Sequence, residues 1–295
     1  MKVLVTGTSG QLGFDVMEEL AKRGYEGIGA DRSESKADFK HVRMDITDKE
    51  LVKKTVSELK PDVIVHCAAW TNVDGAEEPD KLAVVRAVNV DGTKNLAEAA
   101  RDVDAKFVYI STDYVFNGEG TKPWQPDDKN YAPINVYGQS KLDGELEVAK
   151  ALDKYFIVRI AWVFGRNGKN FVRTMIEVGR NHPVVRVVDD QIGTPTYTVD
   201  LARLLVDMIE TDKYGYYHAT NEGGFISWAD FTEEIYRQAG MDVKVERVTT
   251  EEYGLSKAKR PFNSRLDKSK LVEKGFKPLP DWKDALSRFL KEAEI

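Results

Sequence analysis

The strongest constraint on the fold is an alternation of short apolar runs with amphipathic ones, opened by a glycine-rich turn. Lys2-Val-Leu-Val-Thr6 leads into Gly7-Thr-Ser-Gly10-Gln-Leu-Gly13. Further runs at 27–31, 63–66, 107–111 and 156–160 are short, apolar and rich in β-branched or aromatic residues. They read as strands covered on both faces. Residues 12–23, 49–59, 82–101 and 136–151 read as helices between them. On the second of these, Thr47-Asp48 caps a run whose Leu51, Val52, Val56 and Leu59 share one face. This alternation predicts an α/β fold, a Rossmann doubly wound parallel sheet.

Past about residue 165 the pattern loosens. Helices are expected at 171–179, 199–210, 228–239 (Ser227 as N-cap) and from Asp281-Trp282 to 293, with an exposed strand at 243–248. The expected organisation is a dinucleotide-binding domain of 1–168 plus about 196–220. A smaller, interleaved α+β substrate-binding domain would take about 169–195 plus 221–295. Pro123, Pro126 and Pro133 keep 117–135 from forming one helix. Loops of that length inside a compact domain tend to be functional, and this one runs straight into Tyr137.

The balance of 43 basic and 49 acidic residues leaves a net charge of −6. That argues against nucleic acid as a partner. Cys67 is the only cysteine, so no intrachain disulfide forms. The chain enters a strand at once, without a signal-peptide pattern, and no apolar run approaches the roughly 20 residues of a membrane span. The expectation is a cytoplasmic protein, monomeric or homodimeric, with no membrane partner. His66 and Cys67 are strand neighbours that point to opposite faces, and His41, His182 and His218 show no ligand spacing. No metal site is read.

Glycines at 7, 10 and 13 suit a turn where the backbone must approach phosphates and a helix N-terminus must face them. Asp31 ends the second strand about 20 residues on, where a carboxylate bonds adenosine ribose hydroxyls. Arg32 follows it, and a guanidinium there takes a 2′-phosphate. NADH and NADPH therefore both stay open. Asp45 and Ile46 fall where adenine would lie, although Asp45 also suits a helix cap near Asp48. Ala68 and Ala69 follow the fourth strand and leave room for a ligand. Tyr137-Gly-Gln-Ser-Lys141 sets a phenol and an ammonium one helical turn apart on one face. A phenol with a pKa of about 10 can give a proton to a developing alkoxide, and a neighbouring cation stabilises its phenolate. Ser111-Thr112-Asp113 ends the fifth strand, and Thr112 can donate to the carbonyl oxygen.

With these elements in place, the chain resembles the extended short-chain dehydrogenase/reductases, and more narrowly the dTDP-4-dehydrorhamnose reductase family. The resemblance runs from Thr6–Gly13 through Ser111-Thr-Asp-Tyr-Val-Phe116, Tyr137–Lys141 and Trp162-Val163 to Arg260-Pro261 and Asn263-Ser-Arg-Leu266. It implies that Gly7, Gly10, Gln11, Leu12 and Gly13 hold the pyrophosphate of NADPH or NADH. Asp31 and Arg32 would serve the ribose side, and Asp45 with Ile46 the adenine. Ala68, Ala69 and Thr71 would line the nicotinamide side, with Thr71 reaching towards substrate. Tyr137 would be the proton donor beside Lys141, both also on the cofactor side with Lys141 reaching the nicotinamide ribose, and Thr112 would tune the carbonyl. Asp113, Trp162, Arg260, Asn263 and Arg265 would meet a dTDP-sugar. The implied reaction is reduction of the 4-keto group of dTDP-4-dehydro-β-L-rhamnose. Other readings are a sugar-nucleotide epimerase or dehydratase, and a dinucleotide-binding regulatory subunit like that of methionine adenosyltransferase. Asp113-Tyr114 stands where the dehydratases carry Asp-Glu.

Overall fold

A computed structural model describes residues 1–33 and 38–294. Among them, seven parallel strands form one sheet. Its order is Gly215–His218, β6 (Tyr155–Ile160), β5 (Lys106–Thr112), β4 (Val63–His66), β1 (Lys2–Thr6), β2 (Glu26–Asp31), β3 (His41–Arg43). Side chains alternate across each strand. Val3, Val5, Val65 and Phe156 therefore pack on one face against α1 (Gln11–Lys22) and the helix Thr198–Ile209. Leu4, Ile64, Phe107 and Ile157 pack on the other face, against α2 (Lys49–Leu59), Gly92–Asp102 and Val136–Ala151. The chain winds one way from β1 to β3 and the other way from β4 outward. The order reverses between β1 and β4, and a crevice for ligands opens beyond their carboxyl ends.

The expected strands and helices of the first half are present within a residue or two, with one correction. The run 82–101 is not a uniform α-helix. It divides into Leu82–Arg86, a π-helical turn Ala87–Asp91, and Gly92–Asp102. A π turn inserts one extra residue into the ladder and re-aims a side chain. Here that side chain is Asn89. It is buried and bonded to Trp70 and Ser140: its Oδ1 accepts from Trp70 N (2.8 Å) and its Nδ2 donates to Ser140 Oγ (2.9 Å).

The second half builds its own core from Phe164, Val172, Ile176, Phe231, Ile235, Trp282 and Phe289. Ser227 caps Trp228–Gln238 through a capping box with Asp230, and Asp281 caps Trp282–Glu292. The expected exposed strand is Lys244–Val248. It pairs in parallel with Val184–Val188, which the sequence reading had left out along with Gly215–His218. Among the described residues, no helix is long and apolar enough to cross a membrane.

One fully buried ion pair ties the sheet to the helix Val136–Ala151. Arg159 of β6 grips Glu145 through Nε–Oε1 (2.8 Å) and Nη2–Oε2 (2.7 Å), with neither side chain exposed. Its guanidinium also lies near the rings of Phe116, Tyr131 and Tyr216 and donates to the carbonyl of Pro126. Removing one partner leaves a buried charge alone. Glu145→Ala is expected to cost about 3–5 kcal/mol, measured by urea denaturation. A loss under about 1 kcal/mol would mean the pair is solvated and does not anchor the helix.

Candidate active site

A cleft of about 690 Å³ runs over the carboxyl ends of β1, β2, β4, β5 and β6. The glycine-rich turn forms one end. Gly7 has a φ of 74°, and a Cβ there would come within 2.6 Å of the Ala68 nitrogen. A side chain at Gly13 would strike the Gly7 carbonyl. These two positions let the turn, α1 and the end of β4 converge. Gly10 caps α1 and supplies no side chain to take up the first amide groups. The N–H groups of Gln11, Leu12 and Gly13 are thus left for a ligand. Asp31 folds towards the turn and accepts from Ser9 N (3.1 Å) and Arg32 N (2.8 Å). Asp45, beside Met44 and Ile46 on the cleft wall, accepts from Thr47 N (2.9 Å) and Thr47 Oγ1 (2.8 Å). The cap of α2 is Asp48 itself. A dinucleotide fits this cradle.

The other end holds the ionisable groups. Asn135 caps the helix Val136–Ala151, with its Oδ1 accepting from Gly138 N (2.7 Å). Gly138 is needed because any side chain there would strike the Tyr114 carbonyl. Tyr137 follows in the first turn, edge-on to Tyr114 at 5.7 Å. Lys141, one turn along, is buried, with Nζ 4.1 Å from the centre of the Tyr109 ring. Behind it, His66 bonds Thr6 (2.8 Å) and Thr93 (3.0 Å), and burial pushes it down to about 3, so it is neutral.

The charges of this end are set by burial. Burial brings Lys141 down to about 7 against the opposing pull of Glu145 and Cys67. Glu145 is spent on Arg159, and Lys141 has no ion-pair partner among the described residues. Burial also raises the Tyr137 phenol. The charge of Asp113 adds to the rise, and a hydrogen bond with Thr112 works against it. Lys141 was expected to draw the phenol down. Lys141 is not among the groups that move it here, and burial leaves Tyr137 holding its proton at neutral pH. Burial raises Asp113 to about 6, although the nearby hydroxyls of Ser264 and Thr112 oppose this. Its Oδ1 accepts from Thr112 Oγ1 (3.1 Å), which in turn accepts from Tyr114 N (3.2 Å).

The cleft gathers the expected glycines, Gln11, Leu12, Asp31, Arg32, Asp45, Ile46, Ala68, Ala69, Thr71, Thr112, Asp113, Tyr137, Lys141 and Trp162. It does not gather Arg260, Asn263 and Arg265. Arg260 is clamped on Asp74 through Nη2–Oδ2 (2.7 Å) and Nη1–Oδ1 (3.1 Å). Asn263 is buried and donates to the carbonyls of Glu119 (3.2 Å) and Lys122 (2.9 Å), which fastens the long loop. Arg265 Nη1 donates to Asn263 Oδ1 (3.0 Å). The sequence reading missed Trp70, Trp228 and the segment Asn167–Lys169 on the cleft wall. Asn167 Nδ2 donates to the Ser9 carbonyl (3.0 Å), more than a hundred residues away in sequence. No local pattern announces such a contact. Among the described residues, no group of three or more His, Cys, Asp or Glu side chains could hold a metal ion.

The chain matches the RmlD substrate binding domain family over residues 1–295. It belongs to that family. A dTDP-4-dehydrorhamnose reductase of Streptomyces griseus is 41% identical over 290 residues, covering 96% of this chain and 91% of the relative. A crystal structure of a dTDP-4-dehydrorhamnose reductase from Clostridium acetobutylicum is 41% identical and covers 100% of both chains, with a TM-score of 0.91. One from Bacillus anthracis, solved in complex with NADP, is also 41% identical with a TM-score of 0.91, covering 99% of this chain and 100% of that one.

Asp113 gives the site a measurable stability signature. Its folded pKa of about 6 lies above the ordinary 3.8. The folded state therefore holds this proton more tightly. The advantage is full below pH 3.8 and is lost as pH rises through 6. Asp113→Asn removes that loss. It is expected to stabilise the protein by about 1–3 kcal/mol at pH 8 relative to its effect at pH 4, by denaturation at both values. Equal effects at the two pH values would show that Asp113 titrates normally.

Proposed function

We propose that this chain reduces the 4-keto group of dTDP-4-dehydro-β-L-rhamnose to dTDP-β-L-rhamnose, using NADPH or NADH. The carrying observation is one continuous cleft with a glycine-rich amide cradle at one end and protonated Tyr137, beside Thr112 and Lys141, at the other. Membership of the RmlD family and the names of its reductases support the same reading.

In this reading the amides of Gln11, Leu12 and Gly13, with Gly7 and Gly10 giving room, hold the pyrophosphate. Asp31 and Arg32 serve the adenosine ribose, Asp45 and Ile46 the adenine, and Ala68, Ala69 and Thr71 the nicotinamide side. The cofactor supplies a hydride to C4 of the sugar. Tyr137 Oη gives its proton to the C4 oxygen as negative charge develops there. Thr112 Oγ1, its proton turned from Asp113 to the substrate, holds that oxygen, and protonated Lys141 stabilises the tyrosinate left behind. The Oδ2 of Asp113 and the Oγ of Ser111 are buried without a hydrogen-bond partner among the described residues. Asp113 is thereby suited to accept from a sugar hydroxyl. Tyr114, where an eliminating enzyme needs a carboxylic acid, is a phenol raised by burial, so reduction is favoured over dehydration.

A division of labour along the chain goes with this reading. Residues 1–168 with about 196–220 bind the dinucleotide, and about 169–195 with 221–295 form the substrate side. We place the protein in the cytoplasm as a monomer or homodimer. Arg260, Asn263 and Arg265 shape the substrate side by holding Asp74 and the 117–135 loop.

NADPH and NADH oxidation should be followed with dTDP-4-dehydrorhamnose generated in situ. Turnover by the parent is expected. A loss of about 10²–10⁴-fold is expected in Tyr137→Phe, with NADPH affinity retained. Full activity in Tyr137→Phe would remove the phenol from the mechanism. A parent that binds cofactor yet turns over none of this sugar would refute the substrate.

A further inference from the structure

Trp162 sits at the end of β6 with a φ of 51°, in the left-handed region. A bulky side chain stays there only when its surroundings over-determine it. Three contacts do so here. Thr196 N donates to the Trp162 carbonyl (3.1 Å), and Thr196 Oγ1 donates to the neighbouring Ala161 carbonyl (2.6 Å). Gly193 lies against the indole, where a Cβ would come within 2.9 Å of Cε2. The backbone of Trp162 is therefore fixed and aims its ring along the cleft wall.

A second indole, packed on the same core as Trp162, fixes that ring's plane. Trp228 is the first residue of the helix capped by Ser227. Its ring lies 3.7 Å from that of Trp162, centre to centre, at an interplanar angle of 16°. Phe171 backs Trp228 at 4.4 Å. Both indoles line the cleft that holds Tyr137, Thr112 and Asp113. Neither is fully buried, so the pair differs from ordinary core aromatics such as Phe164 or Phe231.

We propose that Trp228 is a positioning residue for the sugar. It holds the Trp162 indole as a rigid wall, and the apolar face and methyl group of a 6-deoxy-4-keto sugar pack on that wall. This rests on the substrate reading above. A six-membered sugar ring can present C–H groups to an aromatic plane, and its grip depends on the plane not rocking. Without Trp228 the indole has space on one face. The 4-keto carbon is then less often within reach of Tyr137 and Thr112. The cofactor cradle, built at the far end from β1 and α1, does not depend on the stack.

The test compares Trp228→Phe, which keeps an aromatic plane, with Trp228→Leu, which keeps bulk without one. Trp228→Leu is expected to raise KM for the keto sugar about tenfold. NADPH affinity, read by its fluorescence, should be unchanged, and Trp228→Phe should restore most of the loss. Exciton coupling between the stacked indoles in circular dichroism should vanish in Trp162→Phe and Trp228→Phe alike and persist in Trp70→Phe. An unchanged KM in Trp228→Leu would overturn the inference, as would an equal loss of NADPH affinity. If the parent turns over no keto sugar, the proposed function fails. Calorimetric affinity for dTDP-L-rhamnose then decides: a tenfold weakening in Trp228→Leu supports the wall, while equal affinity, or no binding by the parent, overturns it.

Discussion

The site depends on an ammonium group held out of water without a carboxylate of its own. Lys141 is buried against the Tyr109 ring, and burial lowers it to about 7. The acid one turn further along its helix, Glu145, is committed to Arg159. A buried cation is expensive to maintain, so the helix that carries it must be held from several sides. Asn135 caps it. Ser140 Oγ donates to the Tyr137 carbonyl (2.8 Å) and accepts from Asn89 of the π turn, while the Arg159–Glu145 pair anchors the next turn to the sheet. Each contact keeps Tyr137 and Lys141 on the cleft wall.

The same cleft needs close backbone approach at one end and a fixed aromatic surface at the other. Gly7 and Gly13 meet the first need, because side chains at either position would strike the neighbouring backbone. Trp162 meets the second at the cost of a left-handed φ. Strain of that kind is kept where surrounding structure compensates for it, and here the short pairing of Val163–Phe164 with Thr196–Tyr197 does so.

The first half of the fold was legible because parallel strands buried on both faces must be apolar runs, and Lys2–Thr6, Val63–His66 and the rest are. The glycine turn, Thr112, Tyr137 and Lys141 were legible for a related reason: each sits at a strand end or a helix start, where local sequence and site coincide. Residues whose role depends on distant partners were not legible. The π turn at Asn89 serves contacts to Trp70 and Ser140. Arg260, expected to meet a dTDP-sugar, is held instead by Asp74, 186 residues away in sequence. The stack of Trp228 on Trp162 brings together rings 66 residues apart in sequence, on one core. Val184–Val188 did carry a readable signal, since valines on either side of Arg186 form a short β-prone run.

The most direct measurement is the titration of the Lys141 amine. Lysine side-chain nitrogens can be labelled and followed by NMR across pH in the folded protein, with the Lys141 resonance assigned by its absence in Lys141→Met. A midpoint near pH 7 is expected. A midpoint near the ordinary 10.5 would mean that the ammonium is solvated or paired, and that the burial on which this site is built is not there.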